Sequence, residues 1–410
     1  MLLFMNRLFR YPAIPFQFQF FFESRFFYSV ILGEEDKAQD NFLAPVHLHL
    51  EDKRLEGLTE MSAEVFLVLS LYFFSCHAKE SLLEYCGKDS YSYTPLIKGP
   101  KGQEYTLKQV HVIIRHGDRT RAGATPCWPN DTAVWDCLLT SASLPVVKHD
   151  THDITVDRIY RDVYMPGRND INGDCGLGHL TFKGYKQQLV NGQNLHTVYV
   201  ETGFLSPNYS SHEVFFRTDD MSRTRQSAQA LALGLFPLSS PSSGKSQVVD
   251  INVMDKDYDD IEPNPRLCPK LEQYQREFIE SDMWQKHYNK ITKPLLIEVQ
   301  QALGLEYNLT SEGLVHIADC LFTHMCHSFP IPSTISQDLM TRIVQEVLVR
   351  WYGTFSYPTI QESAKVGIGF LIGEIWQVRC RLEDHFVPDC SQLLFHHSCA
   401  RVGVKRVQES

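Results

Sequence analysis

The sequence predicts an α/β fold with a helical insertion. Two segments predict the sheet. Val110, Val112, Ile113 and Ile114 form a short β-branched run that ends in Arg115, and Val214, Phe215 and Phe216 form a second short apolar run that ends in Arg217. Each is followed downstream by a helix-like segment, and strand, loop and helix in repetition is the grammar of a sheet with flanking helices. The third observation is a set of amphipathic stretches between residues 268 and 352 with helical rather than alternating spacing.

The elements follow in order. Residues 110–114 read as a buried strand of a parallel sheet, with a loop at its C-terminal end. A helix opens after Thr181, a good N-cap, and runs to about residue 200 with Tyr185, Leu189 and His196 near one face. A second strand, 213–217, leads into a helix at 222–235 that Pro237 stops. Residues 239–246 are rich in Ser, Pro and Gly and read as a linker. Leu271, Tyr274, Phe278 and Trp284 mark the apolar face of 268–303, and further helices are expected at 312–327 and 336–352. An apolar helix at 364–376 should return to the sheet. Ligands of open α/β sheets bind outside the carboxyl ends of the strands, so Arg115 and Arg217 are expected to face one crevice.

Bulk properties narrow the function. The chain has 410 residues, 43% of them hydrophobic, and a net charge of −10 without a long basic run. That composition fits a sizeable core and argues against nucleic acid as a partner. The first 60 residues do not read like the rest, and the aromatic patch at 16–28 stays unassigned. Residues 65–75 after Met61 have the length of a signal-peptide core, and Ala78 offers a cleavage site. With Met1 as the start, Lys53 and Arg54 precede the run and make it an uncleaved membrane anchor instead; a buried strand or helix is the third reading. The expected division is 1–60 unassigned, 61–78 leader or anchor, 79–245 α/β core, 246–361 helical cap, and 362–410 return helix with a divergent tail. Of the 11 cysteines, Cys76 would leave with the leader, and the even remainder suits a disulfide framework. Sequons at Asn130, Asn208 and Asn308 mark glycosylation acceptors. Together these features place the chain in the secretory pathway, in the Golgi lumen or secreted.

The chemistry concentrates in Arg115-His116-Gly117-Asp118-Arg119-Thr120. A phosphate monoester needs fixed cations, and arginine binds two oxygens through a planar fork that stays charged. Arg115, Arg119 and Arg217 are the expected clamp, each charge-assisted bond contributing about 1.5–3 kcal/mol. His116 between them is the expected nucleophile, its pKa lowered by the neighbouring guanidinium groups so that the imidazole is neutral in acid. An acidic working pH follows. Gly117 permits a sharp turn beside the substrate.

These residues resemble the histidine acid phosphatases. Arg115 to Thr120 is similar to the family's signature; Arg217-Thr218-Asp219 with Arg223-Thr224 is similar to its second arginine motif. His179-Leu180-Thr181 with Gly184 and Gln187, and Cys326-His327 with Pro330 and Pro332, also match its pattern. The resemblance implies a phosphoglycerate-mutase-like sheet with a helical cap, a phosphohistidine intermediate on His116, and Arg115, Arg119 and Arg217 as phosphate ligands. It implies no cofactor and no metal, and a phosphorylated small molecule or glycan as partner. Tyr85-Cys86, Asp136-Cys137 and Asn191-Gly192-Gln193 look closest to members that remove phosphate from xylose in glycosaminoglycan linkage regions.

One departure stands out. The family carries a late strand ending in His-Asp, whose Asp protonates the leaving oxygen. After Trp376 this chain has no such pair; Asp384-His385 is reversed, and His396-His397 is followed by no Asp. The cysteines at 86, 127, 137, 175, 268, 320 and 326 are an odd set, which also points to missing C-terminal sheet strands. The alternative to an enzyme is therefore an impaired phosphate- or glycan-binding relative. Asp118 and Asp219 are the candidate substitute acids. His316, Cys320, His324 and Cys326 have metal-like spacing on a helix, but cysteines in a secreted helix pair more often than they ligate. Gly173, Gly176 and Gly178 read as a turn, and no Gly-x-Ser-x-Gly elbow is present. N-terminal sequencing of the mature protein tests the leader: Lys79 as first residue is expected, and an intact Met1 end would overturn cleavage.

Overall fold

The computed structural model describes residues 2–6, 16–21, 29–32, 86, 107, 109–123, 126–137, 142–150, 153–161, 171–237 and 248–382. Its strands are β1 (Leu2–Asn6), β2 (Phe16–Phe21), β3 (Ser29–Leu32), β4 (Gln109–Ile114), β5 (Val134–Trp135), β6 (Ala142–Asp150), β7 (Asp153–Arg161), β8 (Asn172–Gly173), β9 (Val214–Thr218) and β10 (Ile251–Val253). Its α-helices are α1 (Phe182–Leu195), α2 (Ser222–Leu235), α3 (Pro269–Glu280), α4 (Asp282–His287), α5 (Lys293–Leu303), α6 (Ser311–Cys326), α7 (Gln337–Ser356), α8 (Ile360–Gly367) and α9 (Gly369–Leu382).

The main sheet has the order β10-β9-β1-β4-β2-β3. The two arginine-bearing strands, β4 and β9, are not neighbours. β1 lies between them and runs antiparallel to both, with Leu2 opposite Ile113 on one side and Arg217 on the other. β4 and β9 therefore point the same way, and their carboxyl ends open on one edge of the sheet. The N-terminal segment left unassigned from sequence thus supplies three strands. Phe16-Gln17-Phe18-Gln19 alternates with the period of two that a strand requires, and β2 pairs there with β3 and β4. Cleavage after Ala78 would remove all three strands, so this sheet is that of the uncleaved chain.

The predicted helices form with modest changes. Thr181 caps α1 by accepting from the Gly184 N–H, and the last turn of that helix widens into a π-turn at His196–Val200. The expected helix at 268–303 is broken. Ser281 ends α3 and caps α4 through the Trp284 N–H, and a π-turn at Tyr288–Thr292 joins α4 to α5. The return helix is two pieces, α8 and α9. Its packing is as expected: Leu371 and Ile375 of α9 lie against Ile113 of β4.

Two cores result. Beneath the sheet, Val112, Val214 and Phe216 pack with Leu195 of α1 and Leu231 and Leu235 of α2. In the helical layer Val299, Leu314, Ile317 and Ile343 enclose Cys127 and Trp128, which arrive from the loop after β4. Disulfides Cys127–Cys320 and Cys86–Cys326 tie the α/β part to α6, and Cys137–Cys175 closes a smaller loop. Cys268 is disulfide-bonded too, to a partner outside the described side chains.

The linker at 239–246, the leader candidate at 61–78 and the tail beyond 382 lie outside the described residues. Among the described residues no helix is long and apolar enough to cross a membrane. Asn130, Asn208 and Asn308 are all exposed.

α1 and α2 cross backbone to backbone at paired glycines. A Cβ on Gly192 would stand 2.2 Å from the Leu231 carbonyl oxygen, and one on Gly234 2.2 Å from that of Leu189. Gly192→Ala is expected to cost about 1–3 kcal/mol through overpacking, read as a fall in the calorimetric melting temperature.

Candidate active site

The loop after β4 is held by both helices beneath the sheet. The Gly117 N–H donates to Ser227 Oγ at 3.1 Å, and the Asp118 N–H to Gln187 Oε1 at 2.8 Å. Gln188 Nε2 donates to the Arg115 carbonyl at 3.0 Å. The loop also lies against the start of α1, with Thr181 N bonded to Asp118 O at 3.0 Å and Thr120 N to His179 O at 2.9 Å. The approach is close enough that a Cβ on Gly117 would meet the Gly184 carbonyl oxygen at 2.2 Å. Gly117 is therefore needed for proximity to α1.

His116 is half-buried, and its Nδ1 lies 2.7 Å from the Gly117 carbonyl. A carbonyl only accepts, so Nδ1 carries the proton and Nε2 keeps its lone pair. Burial lowers the pKa of the ring to about 2, helped by the charges of Arg115, Arg223 and Arg119 and opposed by the Gly117 bond. The imidazole is neutral at any physiological acidity. A cleft lined by Arg115, His116, Asp118, Arg119, Gln187 and Asp319 surrounds it, with Phe322, Thr323 and the Cys86–Cys326 disulfide on the α6 side.

The sequence profile of the histidine phosphatase superfamily (branch 2) matches residues 106–337. The chain belongs to that family. Counting factor 60 of Dictyostelium discoideum is 33% identical to it over 278 residues, 66% of this chain and 64% of that protein. Human testicular acid phosphatase is 32% identical over 206 residues, 49% of this chain and 47% of its own. Mouse 2-phosphoxylose phosphatase 1 is 31% identical over 167 residues, 38% of this chain and 34% of its own. The chain thus spans between a third and two thirds of these histidine phosphatase relatives.

Within this member of the family the arginines sort differently from expectation. Arg115, Arg119 and His116 come together, but Arg217 does not join them. Its guanidinium is 5% exposed and ion-paired with Asp259 at 3.0 Å, Asp260 at 2.5 Å and Glu374 at 3.2 Å. Burial works against its charge and the three carboxylates outweigh it, so its pKa rises. The physical reason is position: Arg217 lies inside β9, which continues to Thr218, so its side chain leaves from the strand's face rather than its tip. Another arginine, Arg223, lies in the first turn of α2. Its Nε is buried without a hydrogen-bond partner among the described residues; burial, then the charges of Arg119 and Arg115, lower its pKa against the pull of Asp219 and Glu262, and its own charge helps lower that of His116. The sequence carried a signal for it, an arginine at the start of a helix that follows a strand, where the helix terminus also favours anions.

The carboxylates sort as well. Asp118 Oδ2 accepts from Thr181 Oγ1 and from His327 Nε2, both at 2.5 Å, and so clasps the loop to α1 and to the end of α6. Asp219 accepts from the Thr224 hydroxyl beside Arg223. Asp319, unmarked in the sequence, meets Arg119 through two bonds of 2.8 and 3.1 Å.

The metal-like spacing on α6 dissolves on inspection of the sulfurs. Cys320 and Cys326 are in disulfides, so neither offers a thiolate. Ligand atoms of Cys127, Asp131 and His324 lie within 4.8 Å of one another, but Cys127 is oxidised with Cys320. His324 instead bridges the Cys320 carbonyl at 2.8 Å and Asp131 at 3.0 Å, beneath the Trp128 ring.

Two substitutions separate the arginines. Arg217→Ala strands three carboxylates and is expected to cost about 3–5 kcal/mol of stability, seen as a large drop in melting temperature. Arg223→Ala leaves the melting temperature near wild type and weakens inorganic phosphate binding at least about tenfold, since a charge-assisted bond is lost.

Proposed function

We propose that this chain is a phosphomonoester hydrolase working through a phosphohistidine on His116. The observation that carries this is the tautomer: Nδ1 is committed to the Gly117 carbonyl, which leaves Nε2 as a neutral nucleophile within a cluster of arginines. Arg115, Arg119 and Arg223 bind the phosphate and stabilise the charge on its equatorial oxygens in the transition state. Nε2 bonds to phosphorus as the ester oxygen leaves with the bonding pair, and water then cleaves the phosphorus–nitrogen bond. Arg217 serves the sheet, not the substrate.

A second reading draws on the carboxylates. Asp118 and Asp319 are the described carboxyl groups lining the cleft. Asp118 is occupied by Thr181 and His327. Burial pushes the Asp319 carboxyl up, but the Arg119 hydrogen bonds and charge more than reverse this and hold it low. Neither is poised to protonate a poor leaving group. This favours a hydrolase selective for good leaving groups, or a phosphate-binding relative. The disulfides support an oxidising compartment, in keeping with a Golgi-lumenal or secreted glycoprotein. Likeness to 2-phosphoxylose phosphatase 1 makes xylose phosphate in glycosaminoglycan linkage regions the first glycan substrate to test.

Purified chain would be assayed on an aryl phosphate and on a sugar phosphate, with His116→Ala as control. Turnover of the aryl ester, abolished in the variant, is expected; equal rates in both proteins would end the catalytic reading. The ordinary histidine pKa is about 6.5, and here His116 stays neutral down to about 2, so its protonation adds no loss of rate as pH falls through 6.5. The aryl phosphate rate is therefore expected not to climb between about pH 5 and about pH 8. A steady climb measured in a pH–rate profile would contradict this.

A further inference from the structure

Arg119 has five N–H donors in one plane. Three are committed. Nη1 donates to the Thr120 carbonyl at 2.9 Å and to Asp319 Oδ2 at 3.1 Å, and Nη2 donates to Asp319 Oδ1 at 2.8 Å. The remaining pair, Nε–H and the second N–H of Nη2, share one edge of the guanidinium. Nε on that edge is buried and has no partner among the described residues. An edge of two parallel donors is the shape that binds two oxygens of a phosphate.

Asp319 is itself fixed. Its Oδ2 also accepts from the Ala122 N–H at 3.0 Å, and its carboxylate is 19% exposed. It sits on α6 next to Cys320, whose disulfide to Cys127 pins that helix to the loop after β4. The carboxylate and the guanidinium therefore meet as two restrained groups rather than as flexible surface partners.

We propose that Asp319 is a positioning residue for phosphate recognition: it takes the end of the Arg119 fork and so presents the Nε–Nη2 edge to substrate beside His116. The inference rests on the phosphate site described above. It carries an unusual sign. By charge alone, an acidic group lining an anion site weakens binding, and its neutralisation should strengthen it. A positioning role predicts the reverse, because an unrestrained guanidinium loses its aim, and small misplacements of such groups are costly.

The full chain would be titrated calorimetrically with inorganic phosphate as wild type, Asp319→Asn, Arg119→Ala and the double variant. Asp319→Asn is expected to weaken phosphate about tenfold in the Arg119 background. In the Arg119→Ala background it should leave affinity unchanged or improve it, the non-additivity expected of residues acting through one another. Tighter or unchanged binding by Asp319→Asn alone would overturn the proposal, as would equal weakening in both backgrounds, which marks a general structural role. Asp319→Glu keeps the charge and moves it by one methylene. It guards against misfolding: partial weakening that vanishes without Arg119 supports the proposal, and wild-type affinity counts against it. Wild-type protein that binds no phosphate would overturn the phosphate site itself, a result distinct from failure of Asp319 alone.

Discussion

The close approach of the loop after β4 to the start of α1 is the constraint on which the site depends. At Gly117 and Gly184 the two backbones meet without side chains between them. That contact lets Thr181 and Gln187 reach the loop, and it sets the Gly117 carbonyl where it fixes the His116 tautomer. The His116 imidazole is thus oriented by main chain, which is stiffer than a carboxylate on a side chain would be. The glycine pair between α1 and α2 repeats the device one layer below, bringing Ser227 and Arg223 up to the same loop.

Arg217 of β9 and Arg223 of α2 sit in different electrostatic surroundings. Arg217 is surrounded by Asp259, Asp260 and Glu374 and is consumed by them. Arg223, six positions later, has a buried Nε without a partner among the described residues and lies near other arginines. Arg217 has three carboxylates in direct ion pairs, whereas Asp219 and Glu262 act on Arg223 only through their charge and are opposed by two neighbouring arginines.

The sequence made much of this legible, and its failures have physical causes. β4, β9, α1 and α2 were readable because short apolar runs, a Thr N-cap and Pro237 are local signals. The hexapeptide around His116 was readable because its chemistry is dense. Arg217 was expected to face the crevice, yet its guanidinium pairs with Asp259, Asp260 and Glu374: counting to the end of an apolar run does not tell which way a side chain leaves the strand. Asp319 was invisible because its meaning comes from a contact across 200 positions of chain. The alternation in β2 was present in the letters but was set aside with an N-terminal region that looked foreign. The odd cysteine set was informative: six of the seven pair among themselves, and Cys268 reaches elsewhere.

β1 has a consequence for handling the protein. It runs against β4 and β9, so its first residue, Leu2, lies level with Ile113 and Arg217 at the carboxyl edge of the sheet. Whatever is joined before Leu2 in a recombinant product emerges at the carboxyl edge of β4 and β9, in the middle of the sheet rather than at its margin. A purification handle fused there is a neighbour of the arginines and not a neutral appendage. A polyhistidine tag would bring extra imidazoles to a centre whose chemistry is that of one.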